Sequence, residues 1–411
     1  MPTYTTLLQS PFDQISPEDD NFIEELLAVA QLFRPFSEGL DEFIAAHGYE
    51  GDLADIKCKV AFIRGVFVGH GMKPPRDLEK WYTENQTVRR DTAFQLCFAF
   101  GLDGSDTDEF FRRVYTRERS FDCHRVQEAV YYFCLNHGLS FADAQDICRQ
   151  LPQPPKQAQP GQTAIYTSSI IAELNRMDTR EELIQYLTEN IAQFSQHNVT
   201  AYATIERLWR EIAGKDGLLE REYRRFHVAG DDVATGARAK QYYDDDGFKA
   251  WDAYLAIFQL DKAQVADLKL DRNIRPAIEL LHADAQDSFP DRQGIEAILA
   301  GKNVSYERVR KLLILLEFYA FWARKRLETG TCDAGEQDGV RFIDTVNQYM
   351  IEAGYPELYV GNPYDWIFFY VSHDREPLIT FREIWQSLLD SVSEASANPN
   401  RPRRMLKSTC K

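Results

Sequence analysis

The stretch Phe121-Asp122-Cys123-His124-Arg125-Val126-Gln127-Glu128-Ala129-Val130-Tyr131-Tyr132-Phe133 lies without a gap over Leu358-Tyr359-Val360-Gly361-Asn362-Pro363-Tyr364-Asp365-Trp366-Ile367-Phe368-Phe369-Tyr370. In each, one acid (Glu128 or Asp365) stands immediately before five apolar residues. Upstream of the first stretch, Asp77-Leu78-Glu79-Lys80-Trp81-Tyr82 and a polar turn precede Ala93 to Phe100. Upstream of the second, Gly294-Ile295-Glu296-Ala297-Ile298-Leu299 and a turn at Gly301 to Asn303 precede Lys311 to Phe318. Both read as a short helix, a tight break and a buried helix. Residues 74–150 and 290–390 are therefore expected to be a weak internal duplication, a feature of architecture before chemistry.

The rest of the chain has the same period. Phe36, Leu40, Phe43 and Ile44, and likewise Leu183, Tyr186, Leu187 and Ile191, fall on single helical faces. Ser105 before Asp108, Ser140 before Asp143 and Thr179 before Glu182 read as helix starts, with the acid three residues on returning to the cap. Val60 to Val68 and Trp366 to Val371 are apolar enough for strands, but their helical flanks favour buried helix. The expected fold is all-α: multi-domain helical bundles.

A chain of 411 residues, 44% apolar and 13% aromatic, has material for several cores. Leu151 to Gln162 holds four prolines and a glycine and reads as an extended connector. The expected division is a flexible N-terminus over 1–20, a helical domain over 21–150, a Pro-rich linker over 151–163, a middle helical domain over 164–285, a C-terminal helical domain partly repeating the first over 286–391, and a basic flexible tail over 392–411. No apolar run reaches membrane-spanning length and the start lacks a secretory pattern, so no membrane association and a cytoplasmic location are expected. The acidic run Asp244-Asp245-Asp246 reads as a solvated loop.

The run Lys73-Pro74-Pro75-Arg76-Asp77-Leu78-Glu79-Lys80-Trp81, followed by Val88-Arg89-Arg90-Asp91-Thr92-Ala93-Phe94-Gln95-Leu96-Cys97-Phe98-Ala99-Phe100-Gly101-Leu102-Asp103, resembles the second half of a Cro/repressor-type helix-turn-helix domain as found in proteins of bacterial mobile elements. The resemblance implies a turn at Gly69 or Gly71 and a recognition helix over Arg76 to Glu84. A more divergent copy would place Phe289 to Lys302 in the recognition position, putting such modules at both ends of the chain.

On that reading Lys73, Arg76, Lys80, Arg89 and Arg90 form one nucleic-acid-binding cluster, and Arg292, Lys302 and Arg308, near Arg310 and Lys311, form another. The bland alternative is an ion-paired, solvated surface. A net charge of −17 repels a polyanion, so any DNA contact must be local.

Cys123, His124, Cys134, His137 and Cys148 are zinc-type ligands at poor spacing, and Cys134 in an apolar run reads as a buried thiol, so no metal is assigned. No phosphate loop, dinucleotide fingerprint, HExxH or GxSxG motif occurs; His373-Asp374 reads as a surface loop and Trp366 to Tyr370 as core. The expectation is a nonenzymatic DNA-binding regulator of bacterial or mobile-element origin, without cofactor, acting on double-stranded DNA. The alternative is a protein-binding adaptor or inhibitor in phage defence or counter-defence, contacting a protein or ribonucleoprotein; an unrecognised catalytic activity comes third. A homodimer is compatible with either.

Overall fold

The computed structural model describes residues 15–19, 21–30, 33–84, 88–115, 120–123, 125–152, 167–194, 199–226, 243–244, 247–248, 250–258, 292–302, 304, 306–331, 333–335 and 337–385. Among them every element longer than two residues is helical, and the one sheet is a hairpin pairing Tyr243 with Phe248 and Asp244 with Gly247. The acidic run thus begins in a strand. Most of the connector, His124, residues 284–290 and the basic tail lie outside the described residues.

Two apolar cores organise the chain, and they do not follow its linear order. The first gathers α2 (Phe36–Ala46), α3 (Ile56–Gly69), α4 (Leu78–Thr83), α5 (Arg90–Ala99), α6 (Gly104–Phe110) with a π-helical turn (Phe111–Tyr115), α7 (Val126–Asn136) and α8 (Phe141–Gln150). It also takes side chains from α9 (Thr167–Leu174), α10 (Arg180–Glu189) and α11 (Ile191–Phe194). Caps in this body follow local chemistry. Ser140 and Thr179 each close a capping box, whereas α6 is capped by Asp103, which accepts from the Asp106 amide at 2.8 Å; the start expected at Ser105 lies two residues earlier.

The second core is built around the 24-residue α16 (Tyr306–Thr329), about 36 Å long at 1.5 Å per residue. Its run Leu312 to Ala323 is apolar on nearly every side, so neighbours must cover it all round. They are α12 (Val199–Ala213), α13 (Leu218–Phe226), α14 (Ala250–Ile257), α15 (Arg292–Leu299), α17 (Asp338–Glu352), α18 (Pro363–Ser372) and a final helical run α19 over 377–385.

The second core also includes α1 (Phe22–Ala30) from the start of the chain. Phe22, Leu26, Val29 and Ala30 are buried there, the Trp366 indole donates to the Leu26 carbonyl at 2.9 Å, and Phe33 meets Trp366 edge-on. The first core is therefore inserted between α1 and the remainder of the second. The segment expected as one domain over 21–150 gives its first helix to the second core, and the segment expected as a middle domain is shared, with 167–194 on the first core and 199–258 on the second. Helical periodicity shows which face is apolar but not which core covers it.

Candidate interaction face and the paired arginine latches

The stretch aligned at the outset is matched in three dimensions. Arg90 Nε and Nη2 donate to the Glu128 carboxylate at 2.8 and 2.7 Å, Nη2 donates to the Ser120 carbonyl at 2.6 Å, and the Asp122 amide donates to Glu128 Oε2 at 2.7 Å. In the second core Arg310 donates to both Asp365 oxygens at 2.8 and 2.7 Å and to the Glu357 carbonyl at 3.4 Å, and the Tyr359 amide donates to Asp365 Oδ2 at 3.1 Å. Ser120 with Glu357, Asp122 with Tyr359 and Glu128 with Asp365 all stand in the ungapped register that sets Phe121 over Leu358. In that register α7 and α18 begin together, and the buried pair Ala144 and Ile147 of α8 falls on Phe381 and Ile384.

Each latch ties three segments with one guanidinium, a planar donor fork that matches a carboxylate and reaches a carbonyl besides. Burial alone would raise the Glu128 carboxyl, but the Arg90 charge outweighs it and holds the group below its ordinary range. Arg90 also lies over the Phe94 and Phe111 rings. Its place in the expected nucleic-acid cluster is therefore corrected, because its charge is spent inside the protein. Arg310 and Lys311, the neighbours of the second cluster, are buried as well.

The other proposed contacts are distributed as follows. Lys73, Arg76 and Arg89 are exposed, and Lys80 is exposed with its Nζ 3.8 Å from Asp77. All four lie on the α3–α4–α5 segment of the first core. Arg292 opens α15; Lys302 is exposed just after it, with its carbonyl accepting from the Tyr202 hydroxyl at 2.7 Å; Arg308 is half-buried on α16. The two sets belong to different cores.

α3 and α4 meet through chemistry the sequence spells out. Asp55 caps α3 by accepting from the Lys57 and Cys58 amides at 2.9 and 3.1 Å. At the other end Gly71 takes φ +68° while the Met72 amide donates to the Phe67 carbonyl and the Gly71 amide to the Val68 carbonyl, a Schellman closure. The short α4 is then held by Leu78, Trp81 and Tyr82, and Lys59 reaches from α3 to Asp41 at 2.8 Å and lies over the Tyr82 ring. The outer side of α4 mixes Arg76 and Lys80 with Asp77, Glu79 and Glu84, all exposed.

Sequence reading missed the outer side of α3. Val60, Ile63 and Phe67 face the core, while Cys58, Ala61, Gly65 and Val68 are exposed, Val68 by 65%. They recur at three, four and three residues with the exposed Lys57 and Arg64 interleaved among them, so the outer side of this helix mixes small apolar residues with bases.

Where the cores meet, a small cleft with room for little more than a few waters, about 40 Å³, is lined by Phe111 and Arg112 of the π-helical turn and by Arg310, Tyr359, Asn362 and Asp365. Its charged floor is the second latch. The thiols of Cys123, Cys134 and Cys148 are all raised by burial, that of Cys134 to about 12, and no group of three or more His, Cys, Asp or Glu among the described residues is placed to share an ion. His373-Asp374 does open the turn after α18, but the His373 ring is turned inward rather than to the surface: it caps α18, its Nδ1 lies 2.8 Å from the Phe369 carbonyl, and it packs on Phe22. No described helix is long and apolar enough to cross a membrane.

No family model, no curated protein and no solved structure matches the chain.

Proposed function

We propose that this protein acts by binding rather than by catalysis, and that the α3–α4 corner is its contact face for another protein. The observation that carries the reading is the outer side of α3, where Val68 is 65% exposed and the small Ala61 and Gly65 are exposed, with exposed cations at Arg64 and, on the segment that follows, at Lys73, Arg76 and Lys80. An apolar strip rimmed by charge is the usual anatomy of a protein contact. The most perturbed carboxylates, Glu222 and Glu317, are buried among arginines, where no substrate reaches them.

The second reading is the DNA-binding regulator implied by the helix-turn-helix resemblance. What favours it is the order of α3, the Gly71 turn and α4, with Lys73, Arg76, Lys80 and Arg89 all exposed. Against it, α4 has only six residues and presents Asp77, Glu79 and Glu84 where phosphates would approach.

Titration of labelled duplex DNA at two salt concentrations separates them. Protein contact predicts no binding into the high micromolar range, and a protein captured by the chain despite nuclease treatment and lost on Val68→Glu. Salt-dependent duplex binding that disappears in Arg76→Glu or Lys80→Glu would instead establish the regulator.

A further inference from the structure

Arg324 stands between two carboxylates where α16 packs on α12. Its Nε and Nη2 donate to the Glu211 carboxylate at 2.5 and 2.9 Å, and its Nη1 lies 3.4 Å from Glu317 Oε1. The Glu317 side chain is 1% exposed, and among the described residues its Oε2 has no hydrogen-bond partner, whereas 31% of the Glu211 side chain meets solvent. The other charged groups that face this set come from α12 and α13. Arg207 of α12 acts on both acids while it donates to the Tyr349 hydroxyl of α17 at 3.0 Å and lies over that ring, and Arg221 of α13 acts on Glu211. Glu206 and Arg210 of α12 pair with each other on its exposed side. One adjacent guanidinium therefore serves two acids. The same core holds the opposite arrangement at Glu222, where two arginines and a tyrosine hydroxyl serve one.

A buried carboxylate with one long ionic contact and one bare oxygen is costly when ionised, and a bound proton removes that cost. Burial pushes the Glu317 carboxyl up to about 7, while hydrogen bonds from Arg324 hold that of Glu211 below its ordinary range. We propose that the set is a proton-operated switch on the α12–α16 contact, in which Glu317 decides which acid Arg324 serves. With a proton on Glu317, Arg324 belongs to Glu211 and clamps α12 to α16. When that proton leaves to bulk water, the guanidinium turns to the buried carboxylate, and Glu211 is released to solvent with the C-terminal half of α12. The sign follows from the folded state holding a proton that an exposed carboxyl would have lost: the clamp is closed at low pH and opens as pH rises through about 7. α12 is the first helix of the second core after α11 ends on the first at Phe194, so its grip on α16 bears on how the two bodies are joined.

Carboxyl carbon resonances of the full chain, labelled at glutamate, follow the titration directly. The signal that Glu317→Gln removes should titrate with a midpoint of about 7, and amide exchange in 199–213, corrected for intrinsic rates, should quicken by up to about tenfold between pH 6 and 8. Glu317→Gln should hold the slow rate at both pH values. Glu211→Gln leaves Arg324 to Glu317 alone, so the Glu317 midpoint should drop by at least about one pH unit and α12 should exchange fast throughout, a coupling that a merely buried acid would not show. Where Glu317→Gln fails to fold, Glu317→Asp identifies the signal and Glu211→Gln, at a partly exposed position, carries the test. A Glu317 midpoint in the ordinary carboxyl range, a midpoint unmoved in Glu211→Gln, or exchange that quickens equally in every helix overturns the switch.

Discussion

The two cores share one latch and differ in how the rest of their charge is handled. In the first, Arg90 and Glu128 form the latch, and packing around it is mostly aromatic, with Phe94 against Phe111, Phe121 and Tyr131, and Phe43 against Phe100 and Phe110. In the second, the latch is one of several buried ionic groups. Glu222 is held by Arg382 at 2.9 and 3.0 Å, by Arg326 and by the Tyr319 hydroxyl at 2.6 Å, and Glu317 lies 3.4 Å from Arg324, which also binds Glu211. A short helix can be surrounded by rings. A 24-residue helix at the centre of a core carries charge inward along its length, and that charge must be matched there.

The contrast can be broken most severely at Glu222. Burial pushes its carboxyl up, yet Arg382 and Arg326 hold it far below the ordinary range, to about 2. Glu222→Leu leaves two arginines buried without their partner and should cost about 5 kcal/mol, seen as loss of the second core's amide protection while the first core's is retained.

The latches themselves come next. Arg310→Met should cost about 3 kcal/mol, because it strands the buried Asp365 carboxylate, and Arg90→Met about 2 kcal/mol, because Arg125 Nη1 stays 3.2 Å from Glu128. Being in separate cores, the two losses should add in the double variant. An Arg310→Met loss several times larger than that of Arg90→Met, in denaturant titration, would mean that the two latches are alike only in geometry.

Leu26→Ala tests the insertion. It removes a fully buried side chain and should cost about 3 kcal/mol, with hydrogen exchange accelerating in 363–372 rather than in the neighbouring 36–46. Faster exchange in 36–46 would place α1 with the wrong core.

The smallest effect is a pH dependence confined to the second core. Burial raises the Glu317 carboxyl to about 7, against the pull of Arg324. A raised carboxyl means that the folded state holds a proton the unfolded chain has released, so this contribution is present at low pH and lost as pH rises through about 7. Stability should fall by about 1 kcal/mol between pH 6 and 8, and Glu317→Gln should remove that slope.

Much of this was legible before any coordinates. The capping boxes at Ser140 and Thr179, the buried stripes of α2 and α10 and the register of Glu128 with Asp365 are local or repeated signals, and a residue and its neighbours a turn away suffice to state them. The partners of those acids were less accessible. Counting helix positions sets Arg90 opposite Arg308, yet the arginine that performs its role is Arg310, two residues on: Arg90 is the first residue of α5, whereas Arg310 is the fifth of α16. The outer seam of α3 escaped notice for a related reason. Apolar residues lie on both sides of that helix, with Lys57 and Arg64 among the exposed ones and Lys59 buried, and only packing tells which side the protein uses itself.

The amino-acid order alone determined where the chain is helical, where helices stop, and that one segment recurs, since these depend on caps, glycine turns and periodicity over a few residues. Tertiary structure alone decided that α1 crosses to the far core, that the residues between the two repeats divide between both, and that Arg90 and Glu222 point inward. Those outcomes depend on contacts between residues 38 to 340 positions apart. Which distant surface buries an apolar face, or neutralises a charge, is settled by the whole packed arrangement rather than by any stretch of the chain.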